Sequence, residues 1–111
     1  MQDLTSNALV VLMTAATAEE ADRIAEMLVN QRLAACVQIL PEMQSVYTWK
    51  GEVQREREVL LLVKSTREKF SELERQVRAI HSYETPEIIA LPIAAASEPY
   101  LKWLMSSCEG S

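Results

Sequence analysis

The chain has 111 residues, of which 49% are hydrophobic and 24% are charged, and its formal net charge is -5. This length predicts one domain over residues 1–111, and the hydrophobic content excludes wholesale disorder. The negative charge argues against sequence-independent binding of nucleic acid, which depends on basic side chains that neutralise phosphates. With one histidine in the sequence, a single chain does not build a metal site from several histidines.

The first part of the chain predicts a buried strand followed by an amphipathic helix. Residues 8–13 form a continuous apolar run that is too short for a helix and is typical of a central strand. Thr17 and Glu20 then match a capping box. Apolar residues follow at helical spacing, at Ala21, Ile24, Ala25 and Leu28. We expect this helix to end near residues 31–32.

Residues 33–64 predict a long β-hairpin with a tight turn at Lys50 and Gly51. The strand after the turn is charged on both faces over residues 54–58 and apolar on both faces over residues 59–63. One end of the hairpin should therefore project into solvent or against a partner, while the other end runs through a core.

The second half of the chain predicts a helix, a strand and a short terminal helix. Ser65 and Glu68 match a second capping box. An apolar stripe follows at Phe70, Leu73, Val77 and Ile80. The helix should end within residues 81–86, because the residue before a proline avoids helical geometry. Residues 87–93 read as a strand, and Ser97 precedes the last helix. We expect residues up to about 7 and residues 106–111 to be flexible.

This order of elements is the split βαβ pattern, with a terminal helix added. It predicts an α+β, ferredoxin-like sandwich with two helices on one face of an antiparallel sheet whose strand order is 4-1-3-2. Prolines in sheets belong at edges or bulges. Pro41 and Pro92 fall in the two predicted edge strands, which supports the assignment independently.

The hairpin is longer than one such sandwich can cover, and Tyr47 and Trp49 lie near its tip. Edge strands and aromatic surfaces both favour association. We therefore expect the hairpin to pair with other copies of the chain. The alternative is a hairpin that curls over its own sheet.

Six stretches of the chain resemble the CutA (divalent-cation-tolerance) proteins, in order and at matching spacing. They cover nearly the whole chain: 33–37 (LAACV), 47–51 (YTWKG), 58–64, 81–87 (HSYETPE), 91–93 (LPI) and 100–104 (YLKWL). The resemblance implies a ferredoxin-like subunit in a tight homotrimer joined by edge pairing of the long hairpins. It also implies a cytoplasmic, metal-responsive protein that binds copper or another divalent ion.

The resemblance carries over a partial set of metal ligands. Copper-binding bacterial relatives place a cysteine at the end of the first strand and a His-His pair after the second helix. Here Met13 stands at the first position, and Ile80 and His81 stand at the pair. A thioether binds Cu(I) but is a poor ligand for Cu(II), so an inherited site should be weaker or differently composed.

His81 has two interpretations. At a helix C-terminus a protonated imidazole interacts favourably with the helix dipole, which is a structural role. Alternatively, three copies in a trimer assemble a metal site with Glu84 or Glu87. Our first functional hypothesis is therefore a homotrimer that binds divalent metal, copper above all, through His81, Glu84 and Met13.

The second hypothesis is a non-enzymatic signalling or scaffold trimer that binds a small ligand between subunits. Aromatic, lysine and glutamate side chains concentrate in the family-like stretches and would line such a cleft: Tyr47, Trp49, Lys64, Tyr83, Glu87, Tyr100 and Trp103. This lining suits a small anionic or metal-chelated ligand. The alternative for the tryptophans is subunit and helix packing.

We do not expect an enzyme, because the sequence has no phosphate-binding glycine loop, nucleophile elbow or multi-histidine zinc motif. Cys36 and Cys108 do not make a disulfide framework, which favours reduced thiols and a cytoplasmic protein. No apolar run is long enough to span a membrane, so a membrane is not an expected partner. Because the net charge is negative, nucleic acid is not an expected partner either.

Overall fold

A computed structural model describes residues 7–110. Seven elements follow in chain order: β1 Ala8–Ala15, α1 Ala18–Asn30, β2 Cys36–Trp49, β3 Glu52–Thr66, α2 Arg67–Ile80, β4 Ile88–Pro92 and α3 Glu98–Ser107. The strands form one antiparallel sheet in the order β2-β3-β1-β4. This confirms the predicted α+β architecture and strand order. None of the helices within residues 7–110 is long and apolar enough to span a membrane.

Side chains that alternate along the strands place the main core on one face of the sheet. Leu9, Val11 and Met13 of β1 face the same way as Leu61 and Val63 of β3, because their registers match. The apolar stripes of α1 and α2 cover this face, with Ala21, Ile24, Leu28, Leu73 and Val77 fully buried. Both helices therefore lie on one side of the sheet, as predicted.

The opposite face of the sheet is apolar but largely uncovered. We call it the open sheet face, and its members are Val10, Leu12, Leu40, Leu60, Leu62, Ile89 and Leu91. Leu40, Ile89 and Leu91 are 44%, 48% and 48% exposed. Helix α3 covers one end of this face, where Leu101 and Leu104 pack with Ala8.

The hairpin extends well beyond the rest of the sheet. Strand β1 pairs with β3 from Val59 to Thr66, so the β3 residues from Glu52 to Glu58 pair with β2 alone. The molecule is consequently 50 Å long but 25 and 22 Å in the other directions. The turn at Lys50 and Gly51 has positive φ angles of 53° and 83°, which suit a two-residue hairpin turn.

The positions of the prolines and of the helix N-caps test the predicted strands and helix starts. Pro41 lies at the register shift of β2, and Pro92 ends the edge strand β4, as expected. Helix α1 is capped by Thr17, whose hydroxyl accepts from the Glu20 amide at 3.1 Å. The predicted cap of α2 at Ser65 is wrong by one residue, because Thr66 accepts from the Lys69 amide.

The predicted flexible ends fall partly outside the described part of the chain, which leaves out residues 1–6 and 111. Residues 106–108 belong to the end of α3 and its cap. The Cys108 side chain is 3% exposed and packs with Leu104, and burial raises the pKa of its thiol. This cysteine therefore lies beneath α3 and not on an open tail.

Candidate functional site

A cavity of about 530 Å³ lies where the distal half of the hairpin meets the loop after α2. Carboxylates, aromatic rings and neutral polar groups line it: Thr14, Tyr47, Trp49, Gln54, Glu56, Glu58, Tyr83, Glu84, Thr85 and Glu87. Strand register explains the contribution of the hairpin. Every second residue of a strand lies on the same face, so Gln54, Glu56 and Glu58 share one face of β3. Tyr47 lies directly opposite Gln54 on β2.

The cavity is negatively charged. Its four carboxylates belong to Glu56, Glu58, Glu84 and Glu87, and no lysine or arginine among residues 7–110 lines it. Glu84 and Glu87 are exposed, whereas Glu58 is 8% exposed. The cavity therefore attracts cations, and an anionic ligand would be repelled here.

Two tyrosine–glutamate pairs organise the walls. The Tyr83 hydroxyl donates to Oε2 of Glu58 at 2.7 Å. Burial, together with this hydrogen bond, raises the pKa of Tyr83, so the hydroxyl stays protonated as a donor at neutral pH. The hydrogen bond to Glu56 likewise raises the pKa of Tyr47. The hydrogen bond to Glu58 holds the Tyr83 ring in place beside a carboxylate.

The loop that carries Tyr83, Glu84 and Glu87 is tied to the start of α1. Glu20, which is 4% exposed, accepts hydrogen bonds from the Ser82 amide at 2.7 Å and the Ser82 hydroxyl at 3.0 Å. It also accepts from the Ala16 amide at 3.1 Å. Burial alone would raise the pKa of Glu20, but these hydrogen bonds outweigh burial and lower it.

His81 lies behind the cavity with both ring nitrogens engaged. Its Nδ1 accepts from the Tyr83 amide at 3.0 Å, so the proton of a neutral ring is on Nε2. Nε2 then donates to the carbonyl oxygen of Thr14 at 2.7 Å. The side chain is fully buried, and Nδ1 is 3.7 Å from Oε2 of Glu20. In this arrangement the imidazole orients the loop and offers no free lone pair.

The three residues of the predicted metal site are not brought together. Met13 is fully buried in the core on the helix-covered face, His81 is engaged as described, and Glu84 lines the cavity. Within residues 7–110, no group of three or more histidine, cysteine, aspartate or glutamate side chains is arranged to hold a metal ion.

The predicted cleft residues form two groups in the single chain. Tyr47, Trp49, Tyr83 and Glu87 line the cavity. The second group lies toward the other end of the sheet and consists of Lys64, Tyr100 and Trp103. Lys64 is about 20 Å from Glu58 along β3, and the two aromatic residues are on α3. There the Lys64 ammonium donates to Gln38, the Tyr100 hydroxyl is 3.6 Å from Sγ of Cys36, and the Tyr100 and Trp103 rings are in contact.

Sequence reasoning missed five residues of the cavity lining, namely Thr14, Gln54, Glu56, Glu58 and Thr85, and it missed the role of Glu20 behind the lining. In the sequence, Glu56 and Glu58 belong to a segment that is charged on both faces, which predicts contact with solvent or with a partner. Their two-residue spacing, shared with Gln54, was the signal that they face one way. No sequence signal ties Glu20 to Ser82, because these residues are 62 positions apart.

A family model of the CutA1 divalent ion tolerance protein matches residues 9–107. The chain belongs to this CutA1 family. It is 52% identical over 95 residues to the "Divalent-cation tolerance protein CutA" of Thermus thermophilus, covering 86% of this chain and 92% of the relative. It is 42% identical to "Protein CutA, chloroplastic" of Arabidopsis thaliana, covering 89% of this chain but 54% of that longer relative.

Solved structures of the family share the fold. The crystal structure of CutA1 from Oryza sativa superposes with a TM-score of 0.92 at 39% identity, covering 98% of this chain and 100% of that one. The six stretches singled out in the sequence therefore identified the family correctly.

Proposed function

We propose that the chain forms a homotrimer that binds divalent cations, copper among them, and so contributes to metal tolerance. One observation carries the proposal: the cavity has four carboxylates and, within residues 7–110, no lysine or arginine in its lining. The printed name of the Thermus relative, a divalent-cation tolerance protein, supports it. We further propose that the protein acts by binding and not by catalysis.

The trimer is supported by two surfaces that a single chain leaves uncovered. The open sheet face presents apolar side chains where a folded monomer would expose polar ones. Among the described strands, β2 pairs with β3 alone, so one edge of its 14 residues is free to pair with another strand.

The donor atoms define which cations fit. Glu84 and Glu87 are exposed carboxylates, which accept many divalent ions. Cu(II) binds nitrogen and oxygen sites more tightly than the other divalent first-row metals, so copper preference does not require a specialised site. Ligation by His81 needs its ring to leave Thr14 and Tyr83, and that ligand stays a prediction.

A cytoplasmic location is part of the proposal. Cys36 and Cys108 are both free thiols. Unpaired cysteines are typical of reducing compartments.

Calorimetric titration with Cu²⁺ and Zn²⁺ tests the cation site. We expect the double variant Glu84→Gln/Glu87→Gln to lose about tenfold or more in copper affinity, since it removes two charges without changing shape. Glu26→Gln, on the exposed face of α1, is the matched control and should bind as the wild type does. Unchanged affinity in the double variant would refute the carboxylate site.

The variant His81→Ala helps to separate copper ligation by the cavity carboxylates from ligation by the His81 imidazole. Because His81 also orients the loop that carries Glu84 and Glu87, this variant is compared with the double variant. The carboxylate site predicts that Glu84→Gln/Glu87→Gln loses more copper affinity than His81→Ala does. Lost copper binding in a folded His81→Ala protein, with unchanged binding in the double variant, would instead establish imidazole ligation.

A second candidate function is binding of a small organic ligand in the same cavity. The aromatic rings of Tyr47, Trp49 and Tyr83 favour it, because a bare metal ion makes no use of them. A thermal-shift screen against a metabolite library tests it, and an empty screen would count against it.

A further inference from the structure

We propose that the cavity binds a small organic ammonium compound, held by its carboxylates and covered by the aromatic rings of the hairpin. The proposal rests on the second candidate function and names the chemistry of its ligand. It follows from what the walls offer, which is negative charge beside aromatic faces in a space of about 530 Å³.

Two carboxylates are free to accept hydrogen bonds from a ligand. Glu84 and Glu87 line the cavity and make no hydrogen bond or ion pair with any residue in the range 7–110. An ammonium group supplies N–H donors and a positive charge, which makes its hydrogen bonds to carboxylates strong. An uncharged alcohol of the same shape supplies weaker donors and no charge.

The other two carboxylates already have partners, and these partners set the aromatic walls. Glu58 accepts from the Tyr83 hydroxyl, and Glu56 lies close enough to Tyr47 to raise the pKa of its hydroxyl. The Tyr83 ring is therefore held before any ligand arrives, while Trp49 adds a large exposed face. Cations are attracted to such faces, above all to tryptophan.

This combination selects among ligand classes. Anions are repelled by four carboxylates that no basic residue in the lining offsets among the described residues. Inorganic divalent cations are attracted by the carboxylates, but they stay hydrated beside an aromatic ring and make no direct contact with it. An organic ammonium ion gains from both walls, because its methylene groups cover apolar surface while its nitrogen meets charge.

Nuclear magnetic resonance with two matched probes tests the proposal on the full chain in its solution state. The probes are 1,5-diaminopentane and its uncharged analogue 1,5-pentanediol. We expect the diamine to shift the indole N–H resonance of Trp49 saturably, while the diol does not. Trp103 is an internal control, because it lies on α3 outside the cavity lining.

Two variants, measured by calorimetry with the diamine, separate charge from aromatic contact. Glu84→Gln/Glu87→Gln should weaken binding about tenfold, and Trp49→Leu about threefold to tenfold, whereas Glu26→Gln should have no effect. Equal binding of diol and diamine, unchanged affinity in either cavity variant, or shifts confined to Trp103 would each overturn the proposal.

The same set of proteins distinguishes this proposal from divalent-cation binding. Trp49→Leu should weaken the binding of the diamine but leave the Zn²⁺ affinity unchanged, because zinc does not contact the indole ring. Diamine binding without zinc binding would refute the metal proposal alone. Zinc binding without diamine binding would refute the ammonium proposal alone.

Discussion

Glu20 links the fold to the cavity through a single side chain. In the sequence it is the fourth residue of a capping box, which predicts a hydrogen bond within the first turn of α1. Its amide does donate to Thr17, but its carboxylate accepts from Ala16 and from Ser82. The carboxylate therefore anchors the loop that carries four residues of the cavity lining.

Replacing Glu20 by glutamine should destabilise the protein by about 2 kcal/mol at pH 7, because the charge-assisted hydrogen bonds that the buried carboxylate accepts are lost. Since folding lowers the pKa of Glu20, this contribution is present above the ordinary carboxyl pKa of 4.5 and is lost as the pH falls through the folded value. Urea unfolding at a series of pH values, at one protein concentration, measures it. A wild-type-to-variant difference that stays constant down to pH 3 would contradict this reading, and Glu26→Gln is the control.

The hydrogen bonds of His81 predict its tautomer. Because Nδ1 accepts from the Tyr83 amide, the neutral ring should carry its proton on Nε2. Nitrogen-15 chemical shifts of the imidazole, recorded above pH 8, report the tautomer directly. A proton on Nδ1 would show that the ring has turned and that its nitrogen is available to a metal.

Helix α2 shows how a strand decides where the next helix begins. Ser65 and Thr66 are adjacent, and either residue type is a good N-cap. Strand β3 continues through both, and its register turns Ser65 into the core, where its hydroxyl donates to the carbonyl of Leu33. Thr66 is then the residue left to cap the helix.

Thr66→Ala should therefore lower the free energy of unfolding by about 1 kcal/mol, as expected for loss of an N-cap hydrogen bond. Thr66→Ser keeps the hydroxyl and should be close to the wild type. Thermal unfolding of the two variants provides the comparison. Equal stability of Thr66→Ala and wild type would show that the hydroxyl does not stabilise α2.

The elements were predictable because their signals are local. The apolar run of residues 8–13, the helical stripes, and the placement of Pro41 and Pro92 each depend on neighbouring residues and together define the sheet order. The cavity was only half predictable. Tyr47 and Tyr83 were chosen for their chemistry, but the contact of Tyr83 with Glu58 joins residues 25 positions apart in different elements, which no local pattern encodes.

Across the whole molecule, the open sheet face and the free edge of β2 point to assembly. Leu91 is 48% exposed in the single chain, so a charge there should leave the subunit fold intact and disrupt a trimer. Sedimentation equilibrium should give a wild-type mass three times the chain mass of 12.5 kDa, and Leu91→Glu should shift it toward the monomer.

Val29→Glu is the matched control for assembly. Val29 is 45% exposed but lies on α1, away from the open sheet face, so this variant should remain trimeric. A wild-type protein that is monomeric at micromolar concentration would contradict the assembly.

The cavity carboxylates are where we expect divalent cations to bind. An anomalous difference map from crystals of the protein soaked in Cu²⁺ locates the ion directly. We expect a peak about 2 Å from the carboxylate oxygens of Glu84 or Glu87, with His81 still bonded to Thr14. A peak bonded to the His81 imidazole, or none in the cavity, would contradict it.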